Sequence, residues 1–491
     1  MNNLGQKARS AVLWNTGFNL FRDLLQFGTM LVLVRLLEPA AYGQFGLVTS
    51  VIGFISIFSF NNFIAHTLQV RDEADVHYQD HFTAGAVMAG TMFLVTNLVA
   101  FALRWFESYA PVAMLVHVMS VTLLLEWPCE LRRKMLERQF DWRRMRLLHA
   151  CGLLVSAALA IGLAAAGAGV YALLLPGLTV TLPFIYDLFV TQRWRPDWTW
   201  SWANYRAAWR FGLTRIGSGT AVTGRQLVES ATLVQVLGYT PLGILNRALG
   251  LAQMFCIKFA SQLTYATYPV LTRLNPNPEN IARVNGLVLR IVAWVAIPVA
   301  VIFGALAAPV VQVVYGRQWM EVIPLLPWTM LWGVLMALAQ TANRLLLAQQ
   351  QPTRCLLADL LVLIGTGVIL WLVLAQGIKA YLMGLAALQF IVLTLISVWL
   401  CRMRALRLAG LAQAVLPPAV AASMAYGMCE WGRVTAGTDL SGFGTAVGYG
   451  ICYGFLYVAV LRVCFARMTA DLVHYFPARH LVGRILFLRF A

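Results

Sequence analysis

Apolar residues run along the chain in long blocks, each about the 20 residues that a helix needs to cross a bilayer. Polar or Gly/Pro-containing breaks separate fourteen such blocks, at about 12–34, 42–66, 82–103, 110–129, 147–167, 169–191, 208–236, 241–268, 287–307, 321–347, 354–376, 379–400, 408–430 and 442–464. Joins as short as 167–169 and 377–378 force their neighbours to run antiparallel. No block shows the ten-residue alternation of a membrane β-strand. The pattern therefore predicts an all-α integral membrane protein of about 14 transmembrane helices. The first block is read as a retained helix, because its basic start leads to no small-residue cleavage site.

Composition agrees with that picture. A soluble protein carries about a quarter charged residues. Here 12% of the 491 residues are charged and 60% are hydrophobic, which leaves no room for a separate catalytic or nucleic-acid-binding domain. The net charge of +17, from 37 Lys and Arg against 20 Asp and Glu, would mark a nucleic-acid footprint in a soluble chain. Its placement argues otherwise. With the N-terminus in the cytoplasm, 26 of the 37 basic residues fall in connections on that side. Only 5 (Arg35, Arg104, Arg317, Lys379 and Arg433) fall opposite. That asymmetry is the positive-inside pattern, so both termini are expected in the cytoplasm and the partner is the lipid bilayer, not nucleic acid. The eight cysteines are dispersed without a C-x-x-C pair, so neither a zinc site nor a disulfide framework is expected.

The sequence also carries a weak internal repeat. Shifted by 202 residues, LVLVRLLEPAAYGQFGL (31–47) meets LVQVLGYTPLGILNRAL (233–249), with Pro39 on Pro241 and Leu31 on Leu233. A six-helix offset implies a parallel duplication. The expected organisation is two repeated six-helix bundles, 1–195 and 196–405, followed by two C-terminal helices and a basic cytoplasmic tail over 406–491.

Eleven charges remain inside the spans: Arg22, Arg215, Arg225, Arg247, Lys258, Arg344, Asp23, Glu126, Asp187, Glu229 and Asp359. Each costs at least about 2.5–3.5 kcal/mol at the centre of a membrane helix, which makes them the first place to look for function. In span 1, Asn15, Asn19, Arg22 and Gln26 follow steps of 4, 3 and 4, with Asp23 beside them. Arg22 lies roughly 15 Å into the helix, too deep to snorkel. Span 7 places Arg215, Arg225 and Glu229 on one face, and the four-residue step from Arg225 to Glu229 permits an ion pair. Span 8 adds Arg247 and, eleven residues on, Lys258, on the face that carries Gly250 and Ser261. Asn19, Arg22, Asp23, Gln26, Arg215, Arg225, Glu229, Arg247 and Lys258 are thus the candidate lining of a net-cationic cavity, which calls for an anionic ligand.

Other charged groups fit structural roles better. Arg344 follows Gln340 and Asn343 near a cytoplasmic helix end, where snorkelling and ligand contact are both open. Glu126, Asp187 and Asp359 lie within two turns of basic connections and are expected to pair there. Asp72, Glu73, Asp75, His77, Asp80 and His81 are read as a solvated amphipathic face in preference to a metal site. Trp194, Trp198, Trp200 and Trp202 suit an interfacial belt.

Four stretches carry a family resemblance: RLLEPAAYGQFGL (35–47), ELRRKMLERQFDWRRM (130–145), AGAGVYALLLPGL (166–178), and GYTPLGILNRALGL (238–251) leading to TYPVLTRL (267–274). In their order and spacing the chain resembles the polysaccharide transporters, or Wzx-type lipid-linked oligosaccharide flippases, of the multidrug/oligosaccharidyl-lipid/polysaccharide exporter superfamily. The resemblance implies two six-helix bundles plus two extra helices in the bacterial inner membrane. It also implies alternating-access flipping of an undecaprenyl-pyrophosphate-linked oligosaccharide, an O-antigen or exopolysaccharide repeat unit. The related lipid II flippases have an adjacent Arg-Asp pair on helix 1 and an Arg on helix 8, which Arg22, Asp23 and Arg247 match by position and type. Glu229 stands where the family often has Asp, so a proton or sodium coupling role there stays open. The polymerase and export machinery of the same glycan pathway are the further partners implied.

Two rival readings are weaker. A cation-coupled multidrug exporter of the same superfamily would want an acidic cavity, and this one is basic. A membrane polymerase or glycosyltransferase acting on the same lipid carrier would need a sizeable outer loop with catalytic groups. The outer connections are short, and no paired carboxylate, G-x-S-x-G or H-E-x-x-H motif appears. No enzymatic activity, catalytic residue, metal or cofactor is expected.

Overall fold

The computed structural model describes residues 2–72, 75–262, 278–440, 442–466 and 468–469. The 267–274 motif and most of the basic tail lie outside those residues. The chain divides into two compact units, Met1–Gly243 and Ile244–Ala491. This packing division differs in kind from the division at 195/196 that internal similarity draws, and α10 (Trp202–Leu237) lies within the first unit.

The first unit opens with α1 (Asn2–Leu36) and α2 (Pro39–Ile55), the second started by Pro39, whose missing N–H costs nothing in a first turn. The second span then breaks. A 3-10 turn, Ser56–Phe58, ends at Ser59 in extended conformation (φ −68°, ψ 156°), and α3 (Phe60–Ile64) resumes beyond it. Three unbroken helices come next: α4 (Tyr78–Leu103), α5 (Ala110–Arg138) and α6 (Trp142–Ala165). Asp141 caps α6 by accepting from the Arg144 N–H at 3.1 Å. The sixth span is pieced together from α7 (Tyr171–Leu174), α8 (Pro176–Thr179), α9 (Leu182–Tyr186) and a π turn, Asp187–Thr191. Pro176 and Pro183 each start a new piece, since neither can donate to the turn before it. Within this unit α1 packs on α6, α4 on α5, and α10 on α2 and α3.

The second unit holds most of α11 (Tyr239–Ala252), which continues through a π turn, Gln253–Ile257. It then holds α12 (Pro278–Ala305), α13 (Ala307–Val310), α14 (Leu326–Ala348), α15 (Pro352–Val373), α16 (Ile378–Arg402), α17 (Leu408–Ala436) and α18 (Phe443–Cys464). The last two helices are part of this packing, α17 against α12 and α18 against α17. Pro298 inside α12 removes the N–H that would otherwise bond the Trp294 carbonyl four residues back. The Tyr457 hydroxyl donates to that carbonyl at 2.9 Å, and Tyr453 donates to the Pro298 carbonyl at 3.2 Å. A helix defect readable in the sequence is thus repaired by a helix more than 150 residues away.

Among the described residues, 12 helices are long and apolar enough to cross a membrane. They correspond one by one to twelve of the fourteen apolar blocks. The remaining two blocks fold as α1 and α10, the longest helices of the chain at 35 and 36 residues. Both fall short on apolarity, because Arg22 and Asp23 in α1 and Arg225 and Glu229 in α10 sit among further polar side chains such as Gln26 and Gln226. The expected count of fourteen is therefore not confirmed: among the described residues twelve helices qualify as spans, and α1 and α10 are long enough but not apolar enough.

Candidate functional site

The polar stripe of α1 is built around one ion pair. Arg22 reaches Asp23 Oδ1 from Nε at 3.2 Å and from Nη2 at 3.1 Å, with both side chains partly buried. Neighbours in a helix point about 100° apart, so this contact needs the long arginine side chain to swing sideways. Asn19 lies half-buried on the same stripe, and Gln26 is exposed. The pair keeps the stripe nearly neutral overall while leaving part of the guanidinium accessible, an arrangement in which an anion can compete with Asp23.

The stripe of α10 holds the second pair. Arg225 Nη1 lies 2.7 Å from Glu229 Oε2, the four-residue contact that the spacing anticipates, with side chains 21% and 13% exposed. One residue further, the Ser230 hydroxyl shares a 2.9 Å hydrogen bond with Ser50 and ties α10 to α2. Arg215 is exposed, its guanidinium carbon 5.9 Å from the Phe211 ring centre. In the second unit Arg247 is half-buried on α11, where its carbonyl accepts from the Tyr315 hydroxyl at 3.2 Å. Lys258 is half-buried just after the π turn. An unbroken α-helix would bring an eleven-residue step back to one face, but a π turn contains an extra residue and rotates the helix beyond it. Arg247 and Lys258 therefore do not keep the α-helical register that the sequence pattern assumes.

Several charges have partners that spacing alone could not identify. Asp187 is buried and bridges two helices, taking Arg132 Nε at 2.6 Å and Arg144 Nη2 at 2.6 Å. The neutralising arginines come from the 130–146 stretch and not from Arg193 and Arg195, the basic residues next to Asp187 along the chain. Among the described residues Glu126 and Asp359 form no ion pair; Glu126 instead lines a small void with Ser59, Asn61 and Glu130. Asp80 and His81 correct the reading of a solvated face. Asp80 accepts from the Ser201 N–H at 2.7 Å and Asn204 Nδ2 at 2.8 Å, and His81 packs between the rings of Phe60 and Tyr205. Both are buried because the start of α10 folds over the start of α4, a contact across more than 100 residues that no local pattern encodes. Arg146, on α6, donates to Asn15 of the α1 stripe at 2.6 Å. In the positive-inside count Arg146 is one of the basic residues of a cytoplasmic connection. The second unit also contains an apolar groove of about 960 Å³ among α12, α14, α16 and α17, lined by residues such as Ile297, Leu331, Phe390 and Leu416.

Known structures share this fold. A lipid II flippase, MurJ, in an inward closed conformation aligns with a TM-score of 0.73 at 9% identity, covering 93% of this chain and 100% of that one. An inward-facing multidrug resistance MATE family transporter of the MOP superfamily aligns at 0.58 and 15% identity, covering 78% and 94%. The fold is thus that of a multi-pass, all-helical membrane protein of the MOP superfamily type. At the level of sequence, the family model described as polysaccharide biosynthesis protein matches residues 32–324. The chain belongs to that family. It is 22% identical over 302 residues to the succinoglycan biosynthesis transport protein ExoT of Rhizobium meliloti (strain 1021), a match that spans 62% of this chain and 61% of that relative. It is also 20% identical over 357 residues to an uncharacterized membrane protein in the cps region of Klebsiella pneumoniae, covering 70% and 71%.

Proposed function

We propose that this protein flips an undecaprenyl-pyrophosphate-linked oligosaccharide, an O-antigen or exopolysaccharide repeat unit, across the bacterial inner membrane by alternating access. Both termini are cytoplasmic in this reading, following the bias of Lys and Arg. The observation that carries it is the character of α1 and α10. These are the two long helices that miss the apolarity of a membrane span, and each holds an arginine–carboxylate pair well inside its length. Charges so placed are costly in lipid and inexpensive beside a water-filled path. Family membership favours a glycan carrier over a cationic drug.

In the proposed mechanism Arg22, Arg225, Arg247 and Lys258 attract the pyrophosphate, while Asn19, Gln26 and Arg215 accommodate the polar remainder of the head group. Asp23 and Glu229 compete with the phosphates for the same cations. That competition weakens the empty site's hold and permits release on the far side. The prenyl tail stays in the apolar phase, and the groove of the second unit matches its chemistry. A proton or sodium ion acting at Glu229 would supply coupling.

The test is the double substitution Arg22→Ala with Arg247→Ala. It is expected to abolish surface polysaccharide, and flipping of a labelled lipid-linked glycan in proteoliposomes, with membrane insertion intact. Wild-type polysaccharide in a well-inserted double mutant would overturn the reading. Flipping measured with and without proton, sodium and voltage gradients assigns the driving force.

A further inference from the structure

A second lipid-compatible feature lies beside the α1 stripe, on the flank of the first unit between α1 and α6. Trp14, Gly17, Phe18 and Phe21 form one wall of an open groove of about 560 Å³, and Leu147 and Leu154 belong to the other. The steps of three, one and three residues along α1 keep these side chains on one helical face. From Gly17 to Arg22 is five residues, a rotation of about 140°, so the trough lies to one side of the Arg22 stripe, while Phe18, four residues before Arg22, and Arg146, which holds Asn15, form the edge the two share. The groove floor is open at Gly17, where an added Cβ would meet nothing within 4 Å.

One end of the groove is cationic. The Arg146 guanidinium lies 4.9 Å from the Phe18 ring centre while its Nε holds Asn15, which fixes its position. Exposed Arg143 lies 5.9 Å from the Trp14 ring centre. An indole and two guanidinium groups above an apolar trough repeat the layering of a bilayer surface, where Trp and Arg sit at head-group level and aliphatic groups below.

We propose that this groove binds an anionic phospholipid of the surrounding membrane, its head-group phosphate at Arg143 and Arg146 and one acyl chain along Gly17, Phe21 and Leu154. Charge complementarity chooses the occupant: a zwitterionic lipid gains nothing net from two neighbouring cations. A docked lipid braces α1, the helix that carries Arg22, against α6. The site borders the α1 stripe through Asn15 but opens on the other side of α1, so its occupancy by a membrane lipid is testable without the transported substrate.

The test is native mass spectrometry of the purified full chain titrated with phosphatidylglycerol or phosphatidylethanolamine. Wild-type protein is expected to retain phosphatidylglycerol preferentially. Arg143→Gln should weaken the tightest phosphatidylglycerol binding about fivefold, the effect of about one surface arginine–anionic lipid contact. Gly17→Leu fills the trough without altering charge and should weaken it as well, with thermal unfolding of both variants checked against wild type. Equal retention of the two lipids by wild type, or unchanged phosphatidylglycerol binding in both folded variants, would overturn the proposal. So would displacement of the bound phosphatidylglycerol by a polyprenyl phosphate, which would make the groove part of the substrate path.

Discussion

Gly43 and Gly243 meet where the first turns of α2 and α11 cross. A Cβ at Gly43 would lie 1.9 Å from the Tyr239 carbonyl oxygen, and one at Gly243 would lie 1.9 Å from the Pro39 carbonyl oxygen. The contact is reciprocal: each glycine faces the backbone at the start of the other's helix. Rigid backbone cannot yield as a side chain does. Gly43→Ala and Gly243→Ala are each expected to destabilise by about 1–3 kcal/mol or more, the usual range for overpacking. Gly17→Ala, which meets open space, is expected to have little effect. Thermal unfolding of the three purified variants in one detergent checks the contrast.

Asp187 neutralises Arg132, whose side chain is only 3% exposed, and also holds Arg144. Removing one partner of a buried pair leaves an uncompensated charge, at about 3–5 kcal/mol. Asp187→Asn should therefore lower the amount of folded protein in membranes sharply. Arg144→Gln, which removes the partly exposed partner, should cost much less. Quantifying detergent-extractable monodisperse protein distinguishes the two.

Arg225 and Glu229 offer a separation of stability from transport. Glu229→Gln leaves Arg225 without its carboxylate and should destabilise the protein while binding phosphate more tightly. Exchanging the two residues, Arg225→Glu with Glu229→Arg, should restore the ion pair and the melting temperature. Transport by the exchanged variant is expected to stay impaired, because the cation has moved one turn along α10. Equal melting and equal transport in that variant would remove Arg225 from the site.

Tyr457 completes the hydrogen bonding that Pro298 interrupts. Tyr457→Phe keeps the ring but leaves the Trp294 carbonyl without the 2.9 Å bond, at a cost of about 1–3 kcal/mol for a buried acceptor. Pro298→Ala restores an N–H that can bond the same carbonyl within the helix. Tyr457→Phe should accordingly cost less in a Pro298→Ala background, a coupling that a double-mutant cycle of unfolding measures.

Much of the architecture was legible in the chain because membrane helices write themselves locally. Twelve apolar blocks reappear as twelve candidate spans, and the Arg225–Glu229 pair arises from a four-residue step that lies within one helix. The same local reading overcounts apolar spans at α1 and α10, where a block broken by Arg and Asn still looks continuous. It also assumes an unbroken α-helix through Gln253–Ile257 and assigns Asp80 and His81 to water. The 202-residue offset aligns Pro39 with Pro241, yet α11 begins at Tyr239 and the reciprocal glycines are 200 residues apart. Gly238, at φ 91°, ends α10 and leaves one connecting residue where Leu37 and Glu38 join α1 to α2.

The sequence by itself determined that this is a helical membrane protein, where its basic connections lie, and which helices carry charge at depth. These properties depend on spacing along one helix and on the cost of charge in hydrocarbon, both of which are functions of local sequence. Only the tertiary structure decided that Asp187 joins Arg132 to Arg144, that Tyr457 mends the helix at Pro298, and that Arg146 reaches the polar stripe of α1. Those contacts join residues dozens to more than 150 positions apart. No periodicity records them, because they exist only once two helices have packed side by side.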